Sequence, residues 1–229
     1  MIGVVTGFHA EARCLPAGLA TVDCSGARPA RARWIAERMA RGGAGLLVSF
    51  GVAGALDPTL ASGDLVVPEA VWTPGGERHA CDQALRARLA EALARSGLRP
   101  KPARTIAGSE TIVATPDARR ALFERTGAAA VDMESHAVAE TAVSVGLPFL
   151  VVRAIADTAG DRVPHVAARA LRPDGGTDIA AVLRGLLVRP GELPELLRLA
   201  GRTRRAVRTL ARAGPALTTL QPSSGDIGA

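Results

Sequence analysis

The chain contains no tyrosine, and aromatic residues make up only 3% of its 229 residues. Its core must therefore be filled by Ala, Val, Leu and Ile, and rings for stacking on nucleobases are scarce. Lysine is almost absent too: Lys101 is the sole one, so nearly all positive charge is arginine. Cys14, Cys24 and Cys81 are an odd number with no C-x-x-C spacing. That argues against a disulfide framework or a zinc site and suits a reduced, cytoplasmic compartment. His9, His79, His136 and His165 share no metal-ligand spacing, so no metal is expected. Long apolar runs are lacking as well, none approaching the roughly 20 residues that cross a bilayer. The start, Met1-Ile2-Gly3-Val4-Val5, has no basic region of the secretory kind.

What is present is the balance of a globular protein, 48% hydrophobic and 22% charged. The net charge of +6 is concentrated at one end: seven arginines from 189 to 212 face only Glu192 and Glu195, a local +5. The body is close to neutral. With few aromatics, this argues against a nucleic-acid-binding domain.

Short apolar runs alternate with amphipathic stretches. Ile2–Thr6, Gly45–Phe50 and Phe149–Ala154 read as buried strands, since both faces are apolar. Asp64–Pro68, Val71–Thr73, Thr105–Ala107 and Ile112–Ala114 read as shorter ones. Helical periodicity marks Ala30–Arg41, Gln83–Ser96, Asp117–Thr126 and Ser135–Val145. This alternation predicts an α/β domain over residues 1–188, a mixed sheet flanked by helices. A second regime starts at Arg189-Pro190-Gly191. There Glu192–Ala213 reads as a basic amphipathic helix, and 214–229 reads as a disordered tail.

Four segments at predicted strand ends carry the chemistry. They are Gly7–Arg13, Ser49–Pro58 with its turn Gly51-Val52-Ala53-Gly54, Ala130–His136, and Arg153–Asp161. Ligands in such sheets bind at the carboxyl ends of strands. Breaking an N-glycosidic bond needs an acid at the leaving base and a carboxylate near the cationic sugar. It also needs a nucleophile held at the anomeric carbon. Glu11, Glu134 and Asp157 are carboxylates at three strand ends, and the Gly51–Gly54 turn offers unhindered N–H groups for an anion. Each also has a plain structural reading. Asp157 suits a helix N-cap, Glu134 a first-turn acid, Glu11 a surface glutamate. Arg13, Ser25, Arg28 and Arg153 are candidate phosphate ligands.

In this order the segments resemble the purine nucleoside and uridine phosphorylase superfamily. Val131-Asp-Met-Glu-Ser135 is similar to the V-E-M-E-[AG] segment of its methylthioadenosine/adenosylhomocysteine nucleosidases, and Arg153-Ala-Ile-Ala-Asp157 to their R-x-I-S-D segment. Ser49-Phe-Gly-Val-Ala-Gly54, the short stretch between Glu11 and Gly51, and the 189–200 segment resemble the hopanoid-associated phosphorylases more closely. The resemblance implies a nucleoside-phosphorylase-type fold with an extra C-terminal helix. The implied reaction is phosphorolysis of adenosylhopane, with adenine leaving and phosphate as co-substrate rather than any cofactor. Hydrolysis of methylthioadenosine or adenosylhomocysteine is the rival, and a purine-binding module without turnover is the rival of another class. Asp157 would protonate the purine, Glu134 would hold the ribose hydroxyls, and Met133 would pack on the sugar. Glu11 matches the position that activates water in the nucleosidases. Ile112, beside Val113 in the expected substrate site, stands where those enzymes place an aromatic residue. Val52, in the Gly51-Val52-Ala53-Gly54 segment, stands where a serine is usual. Homo-oligomers are implied too. The C-terminal helix would suit peripheral attachment to the inner membrane face.

Overall fold

The computed structural model describes residues 1–169, 176, 184 and 188–221. The described strands form one nine-stranded mixed sheet. They are β1 (Ile2–Thr6), β2 (Thr21–Cys24), β3 (Leu46–Ala55), β4 (Leu65–Val66), β5 (Ala70–Trp72), β6 (Arg78–Ala80), β7 (Thr105–Gly108), β8 (Ala130–Asp132) and β9 (Phe149–Asp157). The α-helices named among the described residues are α1 (His9–Ala12), α2 (Pro29–Arg41), α3 (Gln83–Arg95), α4 (Pro116–Thr126), α5 (Ser135–Ser144), α6 (His165–Arg169) and α7 (Leu193–Ala213).

β3 is the spine. It pairs in parallel with β1 over its first half and with β9 along most of its length, and its end turns antiparallel to β8. Being lined on both edges, β3 and β9 read as the continuous apolar runs expected of strands buried on both faces. The helices start where the local chemistry says they should. Pro29 and Pro116 occupy first-turn positions, where a missing N–H costs nothing. Asp82 and Thr115 accept hydrogen bonds from Leu85 N and Ala118 N as N-caps of α3 and α4.

Three expectations need correction. Gly51–Gly54 is no turn but the continuation of β3, because its neighbours β9 and β8 go on pairing through it. Ile112–Ala114 is a loop rather than a strand, since β7 and β8 already have partners on both edges. Finally, the tail does not begin at 214. Gly214–Leu220 forms a 3₁₀ helix that buries Ala216, Leu217 and Leu220 in the main core. Their three- and four-residue spacing carries an apolar face that the preceding Gly-Pro signal masks. The rest of the expected tail, from 222, lies outside the described residues.

α7 is also more than an appendage. Ala206, Leu210 and Ala213 join the main core, and the helix packs on β9 and β3. Thr209 Oγ1 donates to Gly63 O at 2.8 Å, Ser62 Oγ donates to Arg202 O at 3.2 Å, and Arg202 pairs with Asp161. The opposite face carries Arg198, Arg204, Arg205, Arg208 and Arg212, all exposed.

Candidate active site

Glu11, Glu134 and Asp157 converge on one cavity of about 460 Å³. That is within the size range of small-molecule sites. Val52, Ala53, Gly54, Ile112, Val113 and Met133 line it as well. Gly51 does not. It stands behind Glu11, and a Cβ there would lie 2.7–2.8 Å from the Glu11 carboxylate.

Glu11 reaches this place because α1 is so short. β1 ends at Thr6, and Glu11 folds back over the start of α1. Its Oε2 accepts hydrogen bonds from Gly7 N and Phe8 N, both at 2.8 Å. Its Oε1 accepts one from Val52 N, also at 2.8 Å. Glu11 is therefore no surface glutamate. It is buried, and one of the N–H groups that the Gly51–Gly54 segment offers to an external anion, that of Val52, holds the protein's own carboxylate. Burial pushes its pKa up, against the opposing pull of Arg153 and the three N–H groups.

Glu134 precedes α5 on the loop after β8. The capping duty there falls to Asp132, whose Oδ1 accepts from Ser135 N at 2.8 Å and Glu134 N at 3.1 Å. The Glu134 side chain is thus left for other work. Ser25 Oγ lies 3.3 Å from its Oε1 and Arg153 Nη2 3.5 Å from its Oε2. Burial, partly offset by Arg153 and reinforced by Asp132 and Glu11, raises its pKa to about 8. Arg153 is fully buried behind these acids. Its Nε donates to Asp132 Oδ2 at 2.5 Å and its Nη2 to Ser49 Oγ at 2.6 Å. It serves as an internal counter-ion and does not line the cavity, which makes it a poor phosphate ligand. One guanidinium thus faces three carboxyl groups, Glu11, Asp132 and Glu134.

Asp157 ends β9. It forms an ion pair with Arg119 of α4, and both residues are buried. Burial raises the Asp157 pKa, with Arg119 pulling the other way. Gly54 leaves room for the pair: a Cβ there would stand 3.0 Å from Asp157 Oδ2 and 3.3 Å from Arg119 Nη2.

The sequence reading missed Arg119, Asp132 and the wall supplied by α7, where Leu199, Thr203 and Val207 line the cavity at four-residue steps. That spacing was the available signal. Of the other expected anion ligands, Arg13 lines the cavity and Ser25 binds Glu134, while Arg28 does neither. Among the described residues no group of three or more metal-ligating side chains converges, and no helix is long and apolar enough to cross a membrane.

The family model for the phosphorylase superfamily matches residues 24–188. The chain belongs to that superfamily. Among curated proteins no match is found. Among solved structures the chain is similar to the futalosine hydrolase of Helicobacter pylori strain 26695, with 16% identity and a TM-score of 0.72 over 96% of this chain and 97% of that one. It is similar to the 5′-methylthioadenosine/S-adenosylhomocysteine nucleosidase of Neisseria meningitidis bound to methylthio-immucillin-A. There identity is 17% and the TM-score 0.73, over 96% and 99% of the two chains. The corresponding nucleosidase of Colwellia psychrerythraea, solved with adenine, gives 19% and 0.64 over 81% and 95%. At these identities the likeness is one of fold.

Proposed function

We propose that the protein cleaves the N-glycosidic bond of an adenine nucleoside and that water is the nucleophile. The observation that carries this is the Glu11 carboxylate seated on the N–H groups of Gly7, Phe8 and Val52. A phosphate dianion would have to displace it and would meet three carboxyl groups with one internal guanidinium between them. A water molecule needs neither concession. It also needs a base, and burial moves Glu11 toward the pKa that suits one.

Asp157 would deliver a proton to the purine as it leaves. Burial raises the Glu134 pKa to about 8, so its carboxyl holds its proton near neutral pH. In its ionised form Glu134 would face the positive charge developing on the sugar, and that attraction would strengthen toward the transition state. Met133 lines the cavity next to Glu134, where the sugar would lie. The similar solved structures include nucleosidases in complex with adenine or with methylthio-immucillin-A, which supports an adenine nucleoside as substrate.

A second reading is phosphorolysis of adenosylhopane, and one feature favours its substrate. α7 adds Leu199 and Val207 to the cavity, while Leu193 and Leu197 of the same helix are exposed. An active site bordered by such a helix suits a nucleoside carrying a hydrocarbon, brought from a membrane face. The test is adenine release from methylthioadenosine, adenosylhomocysteine and adenosine, with and without phosphate. Release of the free sugar, with no sugar 1-phosphate, and indifference to phosphate are expected. A phosphate requirement with a ribose-1-phosphate product would replace hydrolysis by phosphorolysis.

A further inference from the structure

Arg119 is an unusual charge. It lies on the first turn of a surface helix yet is only 2% exposed. A buried guanidinium is tolerated only when its N–H groups are satisfied. Here they are shared among three acceptors from separate parts of the cavity wall. Nε donates to Val113 O at 3.0 Å, in the loop that lines the cavity. Nη1 donates to Thr158 O at 2.7 Å, just beyond β9. Nη2 pairs with Asp157.

We propose that Arg119 is the positioning residue of this site, a planar clamp that fixes the Asp157 carboxyl relative to the Val113 loop and favours release of its proton. This rests on reading the cavity as a nucleoside site with Asp157 as its acid. In proton terms, the Asp157 O–H bond breaks and an N–H bond forms on the departing purine. The carboxylate left behind is then paired with Arg119. The pairing stabilises the product side of the transfer, so a weaker pair means a weaker acid. Other charges facing Asp157 do not replace it. Asp161 on the following loop opposes ionisation, and Arg202 of α7, already paired with Asp161, acts less strongly than Arg119.

Two variants separate charge from geometry. Arg119→Gln removes the charge, whereas Arg119→Lys keeps it but cannot span three acceptors as a planar fork. Both are expected to lower kcat by about 10- to 100-fold with KM nearly constant, as misplacement of a reacting group does. Only Arg119→Gln is expected to move the alkaline limb of kcat upward, by about one to three pH units. In Arg119→Ala, added guanidinium ion is expected to restore part of the lost kcat. The substrate-independent measurement is the titration of the Asp157 carboxyl by carbon NMR, assigned through Asp157→Asn. It compares the native chain with whichever of the three Arg119 variants folds. A native protein that cleaves no nucleoside would overturn the functional reading but leave this titration intact. An Asp157 titration unchanged in Arg119→Gln or Arg119→Ala would overturn the clamp. So would an unshifted alkaline limb, or loss of kcat in step with loss of melting temperature and no rescue by guanidinium. Should neither neutral variant fold, Arg119→Lys decides: native kcat in that variant overturns the clamp, and a selective fall in kcat supports it.

Discussion

Two groups of residues around the cavity are built differently. Glu11, Glu134, Asp132, Arg153, Ser25 and Ser49 are all buried, and every one of these side chains has a named partner. Ile112, Val113, Leu199, Thr203 and Val207 are only half-buried and mostly apolar. A hydrogen-bonded network at low dielectric has one low-energy arrangement and defends it. An apolar, half-open wall can adapt to what it meets. Under the proposed function the first group would carry the chemistry at the sugar, the buried Asp157–Arg119 pair the proton transfer, and the apolar group the choice of substrate. Substitutions in the two groups should therefore fail in different ways.

The largest effect is expected at Glu11. Glu11→Gln keeps the shape but loses the base, so turnover should fall by about 10²- to 10⁴-fold. Steady-state kinetics in phosphate-free buffer reads it, with circular dichroism confirming the fold. Turnover within a few-fold of native would remove Glu11 from the chemistry and reopen phosphate as the nucleophile.

Glu134→Gln should lose turnover on a similar scale, but its stability should move the other way. The native carboxyl keeps its proton up to about pH 8, whereas in the unfolded chain it releases it near 4.5. Between those values the folded state binds more protons. Stability is then fully present below the window and is lost as pH rises through it. Glutamine has no such proton to lose. Native and Glu134→Gln chains should melt alike near pH 5, and the variant should melt several degrees higher near pH 8.5, by about as much as a few kcal/mol allows. Equal melting temperatures at both pH values would mean that Glu134 is ionised in the folded protein throughout.

Gly51→Ala comes next. A methyl group there meets the Glu11 carboxylate at 2.7–2.8 Å, closer than real Cβ contacts. The carboxylate has to leave at least one of its three N–H donors. Turnover should drop by about 10- to 100-fold, the scale of small misplacements, with secondary structure retained. The same change at Gly97, where a Cβ meets nothing within 4 Å but φ is +71°, should affect stability rather than turnover. If both variants lose turnover in proportion to stability, clearance behind Glu11 is not what Gly51 provides.

Legibility in the sequence follows the same division. The long strands and five of the helices show in hydrophobic periodicity, because burial on one or both faces imposes it. Glu11, Glu134 and Asp157 show because each stands at the end of such a strand. Arg119 and Asp132 do not. Their roles come from partners 38 and 21 residues away, and no local pattern marks a buried ion pair. Gly51–Gly54 reads as a turn for a related reason. Glycine signals a turn unless a neighbouring side chain needs the space, and that neighbour, Glu11, lies 40 residues earlier in the chain.

The smallest effect on catalysis is expected at the outer end of α7, and it sharpens the contrast most. Cutting the chain after Arg189 would be a poor test of membrane attachment. It would remove Leu199, Thr203 and Val207 from the cavity and Ala206, Leu210 and Ala213 from the core. Leu193 and Leu197 are better targets, being 44% and 64% exposed and outside the cavity wall. If the helix meets an anionic lipid surface, each leucine contributes on the order of 1.5–3 kcal/mol when buried there. Each arginine close to the surface adds about 1 kcal/mol, weakened by salt. The native chain should then sediment with phosphatidylglycerol vesicles at low salt and come off as salt rises. Replacing Leu193 and Leu197 by serine should abolish most of that sedimentation and leave cleavage of soluble adenine nucleosides within about two-fold, as surface changes usually do. Binding that persists in the serine variant would assign the attachment to charge alone. Absence of binding in the native chain would leave the exposed leucines without a membrane role, and with it the hydrocarbon-bearing substrate would lose its support.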